Sequence, residues 1–223
     1  MTTDFAALLK GGKCLECGTR IEHFGVCDSC AERNDQNRLN DFRREALSTI
    51  HRSYRWATFE SRLFGDRVAP QGEVLAHKVL PALRTRSVPM VVIHGPAGSG
   101  KTALACAMMR KLIDDGSRVG VWSRFQCALE LSYVASESKL GSTPYEVGAC
   151  LRSSLLVLDD LGQEEPSNRG AARRVIHGRF GRGKPTIVTT YMDPARLVEV
   201  YGEGASRRLT ELSVLIPMGA GKC

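Results

Sequence analysis

One octapeptide restricts the fold of this chain more than any other feature of the sequence. GPAGSGKT, at Gly95–Thr102, follows a short apolar run at Pro89–His94 and precedes a helical pattern at Lys101–Asp115. The glycines allow backbone N–H groups to surround a phosphate, and the helix N-terminus adds a favourable dipole. A chance glycine-rich turn is the alternative, but the order of strand, loop and helix favours a phosphate loop that binds ATP.

The loop residues have specific expected roles. Lys101 is expected to reach the β- and γ-phosphates and to act in catalysis, and Thr102 is expected to ligate Mg²⁺. The predicted nucleotide-binding set is Gly95, Pro96, Ala97, Gly98, Ser99, Gly100, Lys101 and Thr102.

Short apolar runs that alternate with helical patterns predict an α/β fold. The expected strands are Pro89–His94, Val119–Trp122, Ser154–Leu158, Pro185–Thr190 and Val214–Pro217. The expected helices are Glu73–Arg84, Lys101–Asp115, Phe125–Ser136 and Ala171–Phe180, with two more opening at Thr143-Pro144 and at Asp193-Pro194. We therefore expect a five-stranded parallel sheet with helices on both faces.

The third expected strand ends in two carboxylates. In LLVLDD, Asp159 is expected to hold Mg²⁺ and Asp160 to orient or deprotonate the attacking water, with Glu164 and Glu165 as further candidates for the base. At the end of the next strand, either threonine of the pair Thr189-Thr190 offers a hydroxyl that could sense the γ-phosphate. A polar strand end without function is an equal alternative for each threonine.

Four of the eight cysteines form two C-x₂-C pairs near the N-terminus. CLEC and CDSC place Cys14, Cys17, Cys27 and Cys30 with nine residues between the pairs. This spacing predicts a closed, tetrahedral Cys₄ zinc site with a structural role, in preference to free thiols. Metal binding is expected to drive the folding of so short a segment, which we place at residues 1–35.

The charge of the chain favours an anionic partner. The formal net charge is +7, and the segment from residue 169 to residue 184 is basic without a single acid. Its basic side chains are Arg169, Arg173, Arg174, Arg179, Arg182 and Lys184. They are interpreted either as a solvated helix face or as a surface that contacts phosphates.

Neither a membrane span nor a secretory signal is expected. No apolar run approaches the ~18 residues of a span, and the apolar core at the N-terminus is too short for a signal peptide. A cytoplasmic location is the resulting prediction.

The motifs GPAGSGKT, LLVLDDLG, GKPTIVTT and YGEGASRRL, with the lead-in YRWATFE, together resemble the DnaC/IstB family of AAA+ ATPases. The resemblance covers the chain from about Ser53 onward. It implies an AAA+ core in which the acidic strand is not adjacent to the P-loop strand. It also implies a homo-oligomer in which Arg208, beside Arg207, acts as an arginine finger on the nucleotide of a neighbouring subunit.

The sequence departs from the family pattern at three points. Tyr191 stands where the family usually has asparagine, which moves the expected sensor to Thr190. Asp160 replaces the more common glutamate, and the shorter side chain is expected to slow hydrolysis. The chain ends too soon after the fifth strand for a C-terminal helical lid. The expected domains are residues 1–35 (zinc module), 36–66 (helical linker and lead-in) and 67–223 (ATPase).

The family resemblance leaves more than one function open. It implies an ATP hydrolase, weak without its partners, that loads a replicative DNA helicase onto single-stranded DNA. An IstB-like transposition helper that binds duplex DNA is the alternative, and a P-loop small-molecule kinase is a third. The zinc module slightly favours the loader, because an N-terminal docking domain suits that role.

Overall fold

The computed structural model describes residues 12–22, 24–68, 70–117, 119–131 and 145–219. The chain divides into two units, Met1–Phe42 and Arg43–Cys223. In the first unit, strands β1 (Gly12–Lys13) and β2 (Arg20–Ile21) form an antiparallel pair. Helix α1 (Asp28–Ser48) begins in the first unit and ends in the second.

The second unit alternates helices and strands after a short lead-in. Its helices are α2 (Arg62–Arg67), α3 (Pro70–Thr85), α4 (Lys101–Asp114), α5 (Tyr145–Arg152), α6 (Arg169–Phe180) and α7 (Pro194–Thr210). Its strands are β3 (Met90–His94), β4 (Arg124–Cys127), β5 (Leu156–Leu161), β6 (Thr186–Thr190) and β7 (Val214–Pro217). Short 3₁₀ turns occur at Arg52–Tyr54, Ala128–Glu130 and Pro166–Asn168.

The five strands of the second unit form one parallel sheet in the order β4-β5-β6-β3-β7. The prediction of a five-stranded parallel sheet is therefore confirmed. Strand β6 lies between β3, which precedes the phosphate loop, and β5, which carries the acidic pair. The expected separation of the acidic strand from the P-loop strand is confirmed as well.

The sheet is covered on both faces because its strands are apolar on both sides. In β3, Val91 and Ile93 pack with α3, α4 and the lead-in, whereas Met90 and Val92 face α5, α6 and α7. Among the helices in the described part of the chain, none is long and apolar enough to cross a membrane.

The predicted strand Val119–Trp122 is wrong, because the strand begins at Arg124, two residues after the predicted end. Gly120 lies so close to the end of α4 that an added Cβ would come 2.5 Å from the carbonyl oxygen of Leu112. This close approach forms a turn, with Gly120 N donating to Ser117 O at 2.9 Å. The predicted helix Phe125–Ser136 is wrong at its start, because residues 125–127 belong to β4 and pair with β5. The rest of that helix and the predicted helix start at Thr143-Pro144 lie outside the described residues.

Candidate nucleotide-binding site

The phosphate loop joins the end of β3 to the start of α4. Gly98 (φ 74°) and Gly100 (φ 85°) adopt left-handed backbone conformations that favour glycine. A Cβ at Gly100 would also collide with the backbone carbonyl of Arg67. The loop is closed by Lys101, whose Nζ donates to Pro96 O at 2.7 Å.

An open cleft of about 530 Å³ lies beside the loop. From the predicted set it is lined by Ala97, Gly98, Gly100, Lys101, Thr102 and Asp160. Six lining residues were not assigned to the site by sequence reasoning: Tyr54, Trp56, Arg67, Tyr191, Gln163 and Ala103. The first three come from the lead-in and α2, where the guanidinium of Arg67 lies 5.3 Å from the centre of the Trp56 ring.

Asp159 is held by the neighbouring strand. Its side chain is only 5% exposed, and Thr189 Oγ1 donates to Asp159 Oδ1 at 2.6 Å. Burial raises the pKa of Asp159 to about 6, while hydrogen bonding with Thr189 and Thr102 acts in the opposite direction. The proximity of the Asp159 carboxylate to the Thr102 hydroxyl gives two hard oxygen ligands of the kind that Mg²⁺ prefers.

Asp160 owes its position to a β-bulge. Between the pairs Leu158↔Val188 and Leu161↔Thr190, β5 contains one residue more than β6. Asp160 has a left-handed φ of 54° there, and its backbone N–H donates to Thr189 Oγ1 at 2.9 Å. The bulge turns successive carboxylates to different places, with Asp159 buried and Asp160 at the cleft.

The two threonines at the end of β6 are not equivalent. Thr189 contacts both acidic residues, as described above. Thr190 Oγ1 donates to Leu161 O at 2.7 Å and accepts from Met192 N at 3.1 Å. Neither of these two threonines is among the described residues that line the cleft. Of the two, Thr189 is the one whose hydroxyl contacts the acidic pair.

Lys101 and Tyr54 line the cleft and interact electrostatically with the acidic pair. Burial lowers the pKa of Lys101, and the negative charges of Asp160 and Asp159 partly offset that effect. Burial raises the pKa of Tyr54, and the interaction of its hydroxyl with Thr102 acts in the opposite direction. The cleft therefore combines backbone donors, a lysine, a hydroxyl and the Asp160 carboxylate, with Asp159 buried beside Thr102. This is the set that nucleoside triphosphate chemistry requires.

A family model described as IstB-like ATP binding protein matches residues 56–205. The chain belongs to the IstB-like ATP-binding family. The resemblance to DnaC/IstB-family AAA+ ATPases is thereby confirmed, and the match spans the loop, the acidic strand, β6 and most of α7. No curated protein matches the chain.

Solved structures share the fold of this IstB-like chain. The structure of DnaI matches with a TM-score of 0.59 and 19% identity, covering 76% of this chain and 94% of that one. The crystal structure of the DnaC helicase loader matches with a TM-score of 0.58 and 23% identity, and the match covers 75% of this chain and 99% of that one. AMPPCP-bound DnaA from Aquifex aeolicus matches with 0.51 and 22%, covering 67% of this chain and 47% of its own length.

Arg208 stands apart from the nucleotide cleft of the IstB-like chain. It is half-buried on α7, where its guanidinium lies 5.6 Å from the centre of the Phe180 ring and donates to Gly204 O. Among the described side chains, those around the cleft do not include Arg208.

Glu164, a candidate base from the sequence, is occupied by structural contacts. It is 3% exposed, its Oε2 accepts from Gly162 N at 2.8 Å, and its Oε1 accepts from the hydroxyl of Tyr201. Burial and the Glu164 contact raise the pKa of Tyr201. Glu165 is exposed and does not line the described part of the cleft.

Two members of the basic segment are structural. Arg179 is fully buried and donates to the carbonyl oxygens of Cys150, Ser153 and Pro185 at 2.6–2.8 Å. Lys184 Nζ donates to Leu151 O and Arg152 O at 2.8 and 2.9 Å. Both cations therefore cap the carbonyl end of α5, where a positive charge is favourable. The interpretation of a single solvated or phosphate-binding face is wrong for these two residues.

The cysteine cluster lies in the first unit. The Sγ atoms of Cys14, Cys17, Cys27 and Cys30 all lie within 4.8 Å of one another. Tetrahedral Zn–S bonds of about 2.3 Å require Sγ atoms about 3.8 Å apart, so the four thiols fit zinc. Backbone hydrogen bonds, first from Cys17, lower the pKa of Cys14 to about 6, which favours the thiolate that binds metal. Burial instead raises the pKa of Cys30 to about 12.

Proposed function

We propose that this chain is an ATP-dependent helicase loader that delivers a replicative DNA helicase to single-stranded DNA. In this proposal the ATP-bound chains assemble into a homo-oligomer on DNA. Hydrolysis, which is weak without the partners, then ends the assembly.

The observation that carries the proposal is the division of the catalytic set between two places. One chain places the loop and Asp160 around its cleft, with the buried Asp159 beside Thr102, whereas Arg208 lies on α7 outside the cleft. An arginine that stabilises charge on the transferring phosphoryl group has to reach the cleft. A second copy supplies it most simply, which makes hydrolysis depend on assembly.

Each residue of the cleft has a proposed role in ATP hydrolysis. The loop N–H groups and Lys101 bind the phosphates, and Thr102 with Asp159 would hold Mg²⁺, which neutralises phosphate charge when bound. Asp160 orients the attacking water and accepts its proton. Thr189 fixes Asp159, and we propose it in the position that the sequence had given to Thr190.

The helicase and DNA parts of the proposal rest on fold relatives and charge. One matching structure is a helicase loader, and another is replication initiator DnaA bound to AMPPCP and single-stranded DNA, which matches with 22% identity and a TM-score of 0.55. The net charge of +7 suits a phosphate backbone. We assign the zinc module to helicase docking, since a closed Cys₄ site has no open position for catalysis.

The decisive experiment is capture of purified replicative helicase by the tagged full chain, with ATP, with ADP and without nucleotide. We expect ATP-dependent capture that Lys101→Ala abolishes. Absence of helicase binding, together with ATP-dependent filaments on duplex DNA, would refute the loader function.

A transposition helper is the second candidate, and the match to the IstB-like family model favours it. That function predicts tighter binding to duplex than to single-stranded DNA and ATP-dependent capture of a transposase. Fluorescence anisotropy with matched single-stranded and duplex oligonucleotides separates the two candidates. Phosphate transfer to a nucleoside would refute both.

A further inference from the structure

We propose that Arg173 and His177 of helix α6 complete, with Arg208, a phosphate-binding face that contacts the nucleotide held by a second copy of this chain. The inference rests on the proposed function, because it requires Arg208 to act on a neighbouring subunit. It adds two residues to the composite ATP site and assigns a ligand to part of the basic segment.

The first step is the geometry of two packed helices. Arg173 and His177 are four residues apart on α6, so they lie on the same face of the helix. Gly204 and Arg208 have the same spacing on α7, which packs against α6. His177 and Gly204 meet where these helices touch, and Arg173 lies one turn away from His177 on the same face of α6.

The second step is the close approach at Gly204. A Cβ built there would lie 3.4 Å from Cε1 and 3.9 Å from Nε2 of His177, and 3.9 Å from Nη1 of Arg208. The imidazole and the guanidinium thus converge on one point. Phe180, one turn beyond His177, lies under the guanidinium and limits its orientation.

The third step is electrostatic. The pKa of His177 is lowered first by burial and then by the positive charges of Arg208 and Arg173. Arg208 from α7 and Arg173 from the same helix therefore both act electrostatically on His177. A phosphate placed among them would relieve this repulsion, and all three side chains are wholly or partly accessible.

Three other members of the basic segment, Arg179, Arg182 and Lys184, contact backbone carbonyls of this chain. Arg179 and Lys184 cap α5, as described above. Arg182 donates to Gly178 O at 3.0 Å and acts electrostatically on Lys184, not on His177. It provides a matched control, because Arg182→Ala removes the same charge as Arg173→Ala, but two residues after the end of α6 and outside the proposed face.

A mixing experiment tests the face directly. Arg208→Ala chains bind ATP but offer a defective face, and Lys101→Ala chains offer an intact face but lack a working loop. We expect the mixture to hydrolyse ATP although neither variant does alone. Adding His177→Gln or Arg173→Ala to the Lys101→Ala chain should lower the mixed rate about tenfold, as expected for a lost charge-assisted contact. The same changes in the Arg208→Ala chain should have no comparable effect.

The controls separate the possible failures. Arg182→Ala in the Lys101→Ala chain should change the rate less than twofold, and His177→Lys should recover most of the loss caused by His177→Gln. A mixture without activity would refute the trans role of Arg208 and this inference with it. An active mixture whose rate is unchanged by the His177 and Arg173 substitutions would refute this inference but not the trans role of Arg208. Loss of single-stranded DNA affinity in these variants, with an unchanged mixed rate, would assign the face to DNA phosphates and overturn it.

Discussion

The hydroxyl of Thr189 should set the pH range in which the site can hold Mg²⁺. The substitution Thr189→Val conserves volume but removes two hydrogen bonds, one to Asp159 Oδ1 and one from Asp160 N. A hydrogen bond to a charged group contributes about 1.5–3 kcal/mol, and one pKa unit corresponds to about 1.36 kcal/mol. The loss should therefore raise the pKa of Asp159 by about one to two units.

That shift has a measurable consequence at neutral pH. With the pKa at about 6, roughly nine-tenths of Asp159 is ionised at pH 7. A pKa of about 7 to 8 leaves about one half to one tenth ionised, and the proton then competes with Mg²⁺. We expect the Mg²⁺ concentration that half-saturates ATP hydrolysis to rise about twofold to tenfold at pH 7, and to return to the wild-type value near pH 9.

Thr190→Val is the matched control for this prediction. Thr190 is the next residue of the same buried strand, but its hydroxyl contacts Leu161 and Met192 instead of the acidic pair. The control should reduce stability without moving the pH dependence of the Mg²⁺ requirement. An unchanged Mg²⁺ requirement at pH 7 in Thr189→Val, or an equal shift in both variants, would refute the reasoning.

The buried arginine, the cysteine cluster and the buried aspartate each give a further prediction. Arg179→Met removes the buried hydrogen bonds to three carbonyl oxygens, so urea denaturation should show a loss of about 3–5 kcal/mol in the free energy of unfolding. Exposed Arg182→Met should lose less than about 0.5 kcal/mol, and equal losses would contradict the capping role. Metal analysis should find one zinc per wild-type chain and none in Cys30→Ser; zinc retained by Cys30→Ser would argue against the four-thiolate site. Because burial raises the pKa of Asp159, the metal-free chain should lose stability through this group as the pH rises from about 4 to about 6. In EDTA, the difference in Tm between Asp159→Asn and the wild type should therefore shift in favour of the variant as the pH rises over that range. A difference that does not change with pH would contradict the raised pKa.

The sequence allowed the sheet and the phosphate loop to be predicted because their signals are local. An apolar strand, a glycine-rich turn and a helix occur in one continuous segment at residues 90–114, and the two acids lie in the same short run as their apolar strand. The Val119–Trp122 error has the opposite origin. Its apolar pattern is that of a strand, but packing of Gly120 against α4 leaves room only for a turn.

Long-range contacts explain what sequence reasoning missed at the site. Tyr54, Trp56 and Arg67 reach the cleft although they precede Gly95, the first residue of the loop, by 28 to 41 residues. The roles of Thr189 and Thr190 depend on a bulge in a different strand. Arg179 is an unremarkable member of a basic run until the burial of the α5 carboxyl end is known.

The hydrogen bond from Tyr201 to Glu164 has a mechanical consequence for α7. Tyr201 is tied to the segment that follows the acidic strand, and the next residue, Gly202, breaks the helix with φ 76° and ψ 165°. The part of α7 after Gly202 can therefore rotate about this glycine relative to the anchored Tyr201. Arg208 lies six residues beyond Gly202, about 9 Å along the helix axis, so a 10° rotation at the glycine displaces it by about 1.6 Å. In the proposed composite site, a displacement of that size would move the guanidinium into or out of hydrogen-bonding distance of the neighbour's phosphate.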